Sequence, residues 1–164
     1  MEAQKNALKR PFGEEEGGDM FPEGVVLKGR GVTKFKARGE AIVTRQPFMF
    51  THALDPKTGR VIDRRHELFG KELKGKVFVF PYPVGSTSAG MWLLEAVRLG
   101  NAPLALVMEE IDPVLAIGAF LAEIMLGASI PVVDRLHPSP SEVFHTGDEI
   151  EVDADQGEVR RIEK

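Results

Sequence analysis

The residues best suited to chemistry are Gly85, Ser86, Thr87, Ser88 and Gly90, in the run Val-Gly-Ser-Thr-Ser-Ala-Gly at 84–90. Three adjacent hydroxyls among small residues could bind a substrate anion, or act as a base or nucleophile once activated. A serine hydroxyl is a weak base at neutral pH, so it needs preorganised donors to hold an alkoxide, or a neighbouring base. No lysine follows in the position a Walker-type phosphate loop requires, so that reading fails.

The elements that must position this run are legible on either side of it. Gly-Lys-Val-Phe-Val-Phe-Pro at 75–81 is a short apolar run bounded by Gly and Pro, the mark of a buried strand. Leu93, Leu94, Ala96, Val97 and Leu99 follow at helical spacing, with Gly100 as a C-terminal stop, which predicts a helix over about 89–99. The hydroxyls therefore sit at a helix N-terminus, where free N–H groups and the helix dipole favour an anion. Serine and threonine are also preferred there simply as caps. Spacing alone leaves both readings open.

No other residues complete a catalytic set. His52, His66, His137 and His145 fall in expected loops without metal-ligand spacing. Asp55 and Asp63 flank an Asp-Pro-Lys-Thr-Gly turn, in which Asp before Pro is a common turn starter. Glu109 and Glu110 lie at the expected end of a strand, and Trp92, Phe48 and Phe50 could be core or interface. An enzyme equipped on one chain shows acid, base and electrophile together. This chain reads as part of something larger.

Composition narrows the classes. There is no cysteine, which excludes disulfides, a thiol nucleophile and an iron–sulfur cluster ligated by cysteines of this chain. The 164 residues suffice for one domain, and 43% apolar with 28% charged residues is ordinary for a globular protein. A net charge of −4 with scattered basic residues gives no reason to expect nucleic acid as a partner. No apolar run approaches the roughly 20 residues of a membrane helix, and the N-terminus is polar, so the expected location is the cytoplasm.

Residues 1–22 carry few apolar anchors and read as a disordered extension, leaving 23–164 as the folded domain. Within it, strands are expected near 25–29, 39–44, 75–81, 103–108 and 130–134, with a terminal hairpin from 147 to 162. Asp112 as N-cap, Pro113 at the first helical position and Gly127 as stop delimit a second helix. Its expected apolar stripe is Val114, Ile117, Leu121, Ile124 and Met125. Strand–helix alternation joined to hairpins implies a mixed α/β domain with more than one β-layer.

Several motifs in order resemble a known family. They are Gly-Glu-Ala-Ile-Val-Thr at 39–44, Asp-Pro-Lys-Thr-Gly-Arg-Val-Ile-Asp at 55–63, Gly-Lys-Glu-Leu-Lys-Gly-Lys-Val at 70–77, the 81–90 loop, Asn-Ala-Pro at 101–103 and Asp-Pro-Val-Leu-Ala-Ile-Gly-Ala at 112–119. Together they resemble the small subunit of aconitase X, over about 31–157. The resemblance implies the swivelling β/β/α domain of the aconitase superfamily, with mixed sheet layers and two main helices. It implies a heterodimer or higher assembly in which a large subunit carries a cysteine-ligated [4Fe-4S] cluster. It implies a hydro-lyase active only in that complex, with Ser86 as proton acceptor and Gly85, Thr87 and Ser88 binding substrate or supporting it. Archaeal two-subunit members dehydrate mevalonate 5-phosphate to trans-anhydromevalonate 5-phosphate on a mevalonate route to isoprenoids, whereas bacterial relatives act on cis-3-hydroxyproline.

Two rival readings remain. The Gly-Asp-x-Ile-x-Val-Asp run at 147–153 also resembles phosphohistidine carrier domains, but the 85–90 loop has no histidine to carry phosphate. A non-catalytic subunit, with the loop serving only as a helix cap, is the other.

Overall fold

The structure is a computed structural model that describes residues 24–162. The expected disordered extension at 1–22 lies outside the described residues. The chain enters through β1 (Val26–Lys28) and β2 (Arg30–Gly31), separated only by Gly29. Then come β3 (Lys36–Val43), a single turn α1 (Phe50–Ala53), and the hairpin β4 (Leu54–Asp55) and β5 (Arg60–Val61). The middle is β6 (Val77–Val79), α2 (Ala89–Arg98), β7 (Ala105–Val107), α3 (Pro113–Leu126) and β8 (Val132–Asp134). A short α4 (Pro140–Val143) precedes the hairpin β9 (Glu149–Asp153) and β10 (Glu158–Arg161).

The eight-stranded sheet runs β1-β10-β9-β3-β6-β7-β8-β2. Strands β3, β6, β7 and β8 are parallel neighbours, and the other pairings are antiparallel. Because Gly29 alone separates β1 from β2, one continuous segment occupies both ends of that order, and the sheet closes on itself. Glycine makes the closure feasible. A Cβ on Gly31 would lie 1.7 Å from the carbonyl oxygen of Ala154, and one on Gly29 would lie 2.2 Å from that of Asp134.

Strands β6, β7 and β8 are buried on both faces and alternate between two cores. Val77, Val79, Ala105, Val107 and Val133 point into the closed sheet with Ile150, Val152 and Val159, and Phe144 and Val143 join them there. Phe78, Phe80, Leu106, Met108 and Val132 point the other way, towards Leu93 and Ala96 of α2 and Leu115 and Ala119 of α3. Layers of sheet, sheet and helix result, the mixed α/β domain with two main helices that the sequence implied.

One expectation about α3 needs correction. Asp112 does cap it, accepting from the Leu115 N–H at 2.7 Å, and Gly127 ends it in the left-handed conformation. Its buried residues, however, are Leu115, Gly118, Ala119 and Ala122, whereas Ile117, Ile124 and Met125 are exposed. The helix lies so close to α2 that only small side chains fit between them, so residue size, not apolarity alone, selected the inner face.

Candidate functional site

The 85–90 loop leaves the C-terminal end of β6 and enters α2, at the edge where parallel α/β sheets place their ligands. Its root is fixed on both sides. Phe48 N–H donates to the Tyr82 carbonyl at 3.2 Å, and Val84 N–H donates to the Phe48 carbonyl at 3.1 Å. Phe48 is held by aromatic packing, edge-on to Phe78 at 4.9 Å and to Phe50 at 5.0 Å, while Phe78 and Phe80 stack at 4.4 Å. Phe48 and Phe50 are thus core, and what they anchor is the loop. On the far side, Trp92 donates its indole N–H to the Leu54 carbonyl at 2.8 Å, tying α2 to β4.

Within the loop, Gly85 takes φ +97°, a conformation that side chains rarely adopt, and Met49 occupies the space where a Cβ would go. Ser86, Thr87 and Ser88 are all exposed. Ser88, the residue next to the first helical position, makes no capping bond with its side chain. The capping geometry belongs to Ser86, whose Oγ accepts from Ser88 N–H at 3.1 Å and whose carbonyl accepts from Ala89 N–H at 3.2 Å. The cap and the candidate reactive group are the same atom. A backbone N–H aimed at a serine oxygen at a helix N-terminus also favours negative charge on that oxygen.

The other candidates divide. Asp55 is a turn residue, accepting from Lys57 N–H and Thr58 O–H, and Asn101 donates to the carbonyls of Pro56 and Lys57. The Asn-Ala-Pro and Asp-Pro-Lys-Thr-Gly motifs therefore meet as structure. Asp63 is held by the Arg65 N–H and side chain, which lower its carboxyl pKa. His52, His137 and His145 are exposed, and His66 is buried edge-on against Phe48. Among the described residues no three or more His, Cys, Asp or Glu gather as a metal site. With no cysteine in the chain, the residues present do not fit a thiolate-ligated cluster.

Sequence reasoning missed Glu67 and the partners of Glu109 at the same edge. Glu67 accepts from the Thr44 hydroxyl and, at 2.9 Å, from Arg45 N–H, and these bonds, the Thr44 one foremost, hold its carboxyl below the usual glutamate range. Glu109 accepts from the Ser139 hydroxyl at 2.5 Å, Ser139 and Ser141 share a hydrogen bond at 2.9 Å, and Glu109 N–H bonds to Pro81 at the root of the loop. An open groove of about 260 Å³ lies beside Glu67, lined by Thr44, Arg45, Glu67, Ser141, His145 and Thr146. The position of Glu109 at a strand end was a usable signal, while its partners 30 residues away had none.

No helix among the described residues is long and apolar enough to cross a membrane. Comparison with known proteins is consistent along the chain. The profile of the aconitase X swivel domain matches residues 26–161. The phosphomevalonate dehydratase small subunit of Methanosarcina acetivorans is 38% identical over 138 residues, 84% of this chain and 92% of the relative. The protein of the same name from Thermococcus sibiricus is 40% identical over 133 residues, 81% of this chain and 95% of the relative. Among solved structures, the holo-form of Thermococcus kodakaraensis aconitase X superposes with a TM-score of 0.77 at 36% identity, covering 85% of this chain and all of the matched one. This chain belongs to the aconitase X swivel domain family.

Proposed function

We propose that this chain is the small subunit of a phosphomevalonate dehydratase, a hydro-lyase that removes water from mevalonate 5-phosphate to give trans-anhydromevalonate 5-phosphate. The observation that carries the reading is the match along nearly the whole length of relatives that bear that name. The same relatives are called small subunits, so the working enzyme includes a large subunit.

In this reaction a C2–H bond and the C3–OH bond break and a C2–C3 double bond forms, the proton and hydroxide leaving together as water. Ser86 is the proton acceptor at C2. The Ser88 N–H and the N-terminus of α2 support the negative charge its oxygen needs for that task. Gly85 gives the loop its bend, and Thr87 and Ser88 supply further exposed donors to the substrate. Residues 85–90 contain no second base, so the group that takes the proton from Ser86, and the group that assists departure of the C3 hydroxyl, come from elsewhere in the assembled site.

The test is turnover of the complex copurified with its large subunit, on mevalonate 5-phosphate and on cis-3-hydroxyproline. Dehydration of the phosphate ester alone is expected. Ser86→Ala is expected to lower kcat on the order of 10²-fold or more while the complex persists. A loss of only a few-fold removes Ser86 from the chemistry, and turnover by the isolated chain removes the need for a second subunit.

A further inference from the structure

Helix α3 has no polar side. Its inner face is the small-residue row described above, yet Ile117, Ile124 and Met125 on the outside are 55%, 78% and 64% exposed, and Phe120 is exposed beside them. Positions 117, 120 and 124 are three and four residues apart and share one face. Glu123 is the only ionisable residue among the 14 from Pro113 to Leu126. A helix on the surface of a monomer puts charge outward, and a helix that is apolar all round is a buried helix.

The patch is continuous with the serine loop. Met91, 56% exposed, follows Gly90, and Ile117 precedes Gly118. Gly90 and Gly118 touch through their backbones, so Met91 and Ile117 stand on adjoining turns of the two helices. The apolar surface thus starts in the first turn of α2, three residues after Ser88, and extends along α3 from Ile117 to Met125, about 12 Å at 1.5 Å per residue.

We infer that this outer face of α3, together with Met91, is the surface on which the large subunit docks. The inference rests on the two-subunit reading above. A subunit that completes the site must cover the ground around Ser86, and a stable interface needs roughly 800 Å² from each partner. A loop of six small residues supplies only a fraction of that area. The face beginning one turn away supplies large side chains in a row, suited to a partner surface that is apolar at its centre. A second copy of this chain seated there would instead occupy the approach to the loop.

The experiment coexpresses the chain with its large subunit and measures the affinity between them for wild type, Ile124→Glu, Ile117→Glu and Ile124→Leu, with light scattering on the chain alone. Wild type and Ile124→Leu are expected to bind alike. Each glutamate variant is expected to bind at least 100-fold more weakly while keeping the wild-type melting temperature, because the replaced side chain is exposed in the free subunit. Glutamate variants that bind like wild type overturn the docking face while leaving the two-subunit reading standing. A wild-type homodimer that Ile124→Glu converts to monomer, with the large subunit still bound tightly, assigns the face to a second copy and overturns it too. Failure of the wild-type chains to associate at all removes the two-subunit reading and this inference with it.

Discussion

Gly90 and Gly118 are in backbone contact across the two main helices: a Cβ on Gly118 would lie 2.3 Å from the Gly90 carbonyl oxygen, and one on Gly90 would lie 2.3 Å from that of Val114. Neither obstacle is a flexible side chain, so a methyl group at either position forces α2 and α3 apart. Overpacking of this kind costs about 1–3 kcal/mol, which for a domain near 150 residues lowers Tm by about 2–4 °C per kcal/mol. Because the serine loop runs straight into α2 at Ala89, Gly118→Ala should also reduce turnover of the complex although residue 118 faces no substrate. Calorimetry and kcat measured together check this. A wild-type Tm for Gly118→Ala would mean that the close approach is dispensable.

Ser86 has two jobs that substitutions can separate. Its Oγ accepts the Ser88 N–H, a capping bond whose loss costs about 1 kcal/mol. Asparagine caps as well as serine does but offers no hydroxyl. Ser86→Ala is therefore expected to lose both stability and activity, and Ser86→Asn to melt near wild type while remaining inactive. Recovery of turnover in Ser86→Asn would reduce the residue to a cap.

The strand–loop–helix around Ser86, the Asp112–Pro113 start of α3 and the terminal hairpin were legible because each depends on local chemistry: an apolar run, a cap, an alternating stretch. Closure of the sheet was not legible. It depends on Gly29 and Gly31 meeting Ala154 and Asp134 more than 100 residues away, and nothing near Gly29 marks it. The inner face of α3 was misassigned for a related reason. Periodicity ranks Ile117 and Ile124 as core, but proximity to α2 admits only Gly118, Ala119 and Ala122 beside Leu115. At the candidate site, the loop stands out by its residue types, whereas Glu67 with Thr44 and Glu109 with Ser139 are pairings that only the fold creates.

Glu67 should leave a mark on the acid limb of stability. The Thr44 hydroxyl and the Arg45 N–H favour its charged form, so its folded pKa lies below the ordinary 4.5. A carboxylate depressed on folding contributes stability that is present above its unfolded pKa and is lost as pH falls through the folded one. Glu67→Gln is thus expected to lower Tm at pH 6–7, with the difference from wild type shrinking below about pH 4.5 and vanishing once both forms are uncharged. Melting curves across pH 2–7 provide the measurement. A difference that is constant with pH would show that the carboxylate charge has no part in holding Thr44 and Arg45.

Arg30 and Asp134 join β2 to β8 at the seam where the sheet closes. Asp134 is fully buried and accepts from Arg30 Nε at 2.9 Å and Nη2 at 2.7 Å, with Ile111 N–H at 3.1 Å as its other donor. Arg30→Met keeps the apolar stem but strands a buried carboxylate with a single N–H. Removing one partner of a buried pair costs about 3–5 kcal/mol, and because the guanidinium is partly in water the loss here should be nearer 2–3 kcal/mol. Replacing both residues, as in Arg30→Met with Asp134→Leu, removes the stranded charge and should recover part of that loss. Denaturant unfolding of the two single variants and the double variant closes the cycle. If Arg30→Met alone unfolds within about 0.5 kcal/mol of wild type, the pair behaves as an exposed one and the seam is held by its backbone ladder and glycines alone.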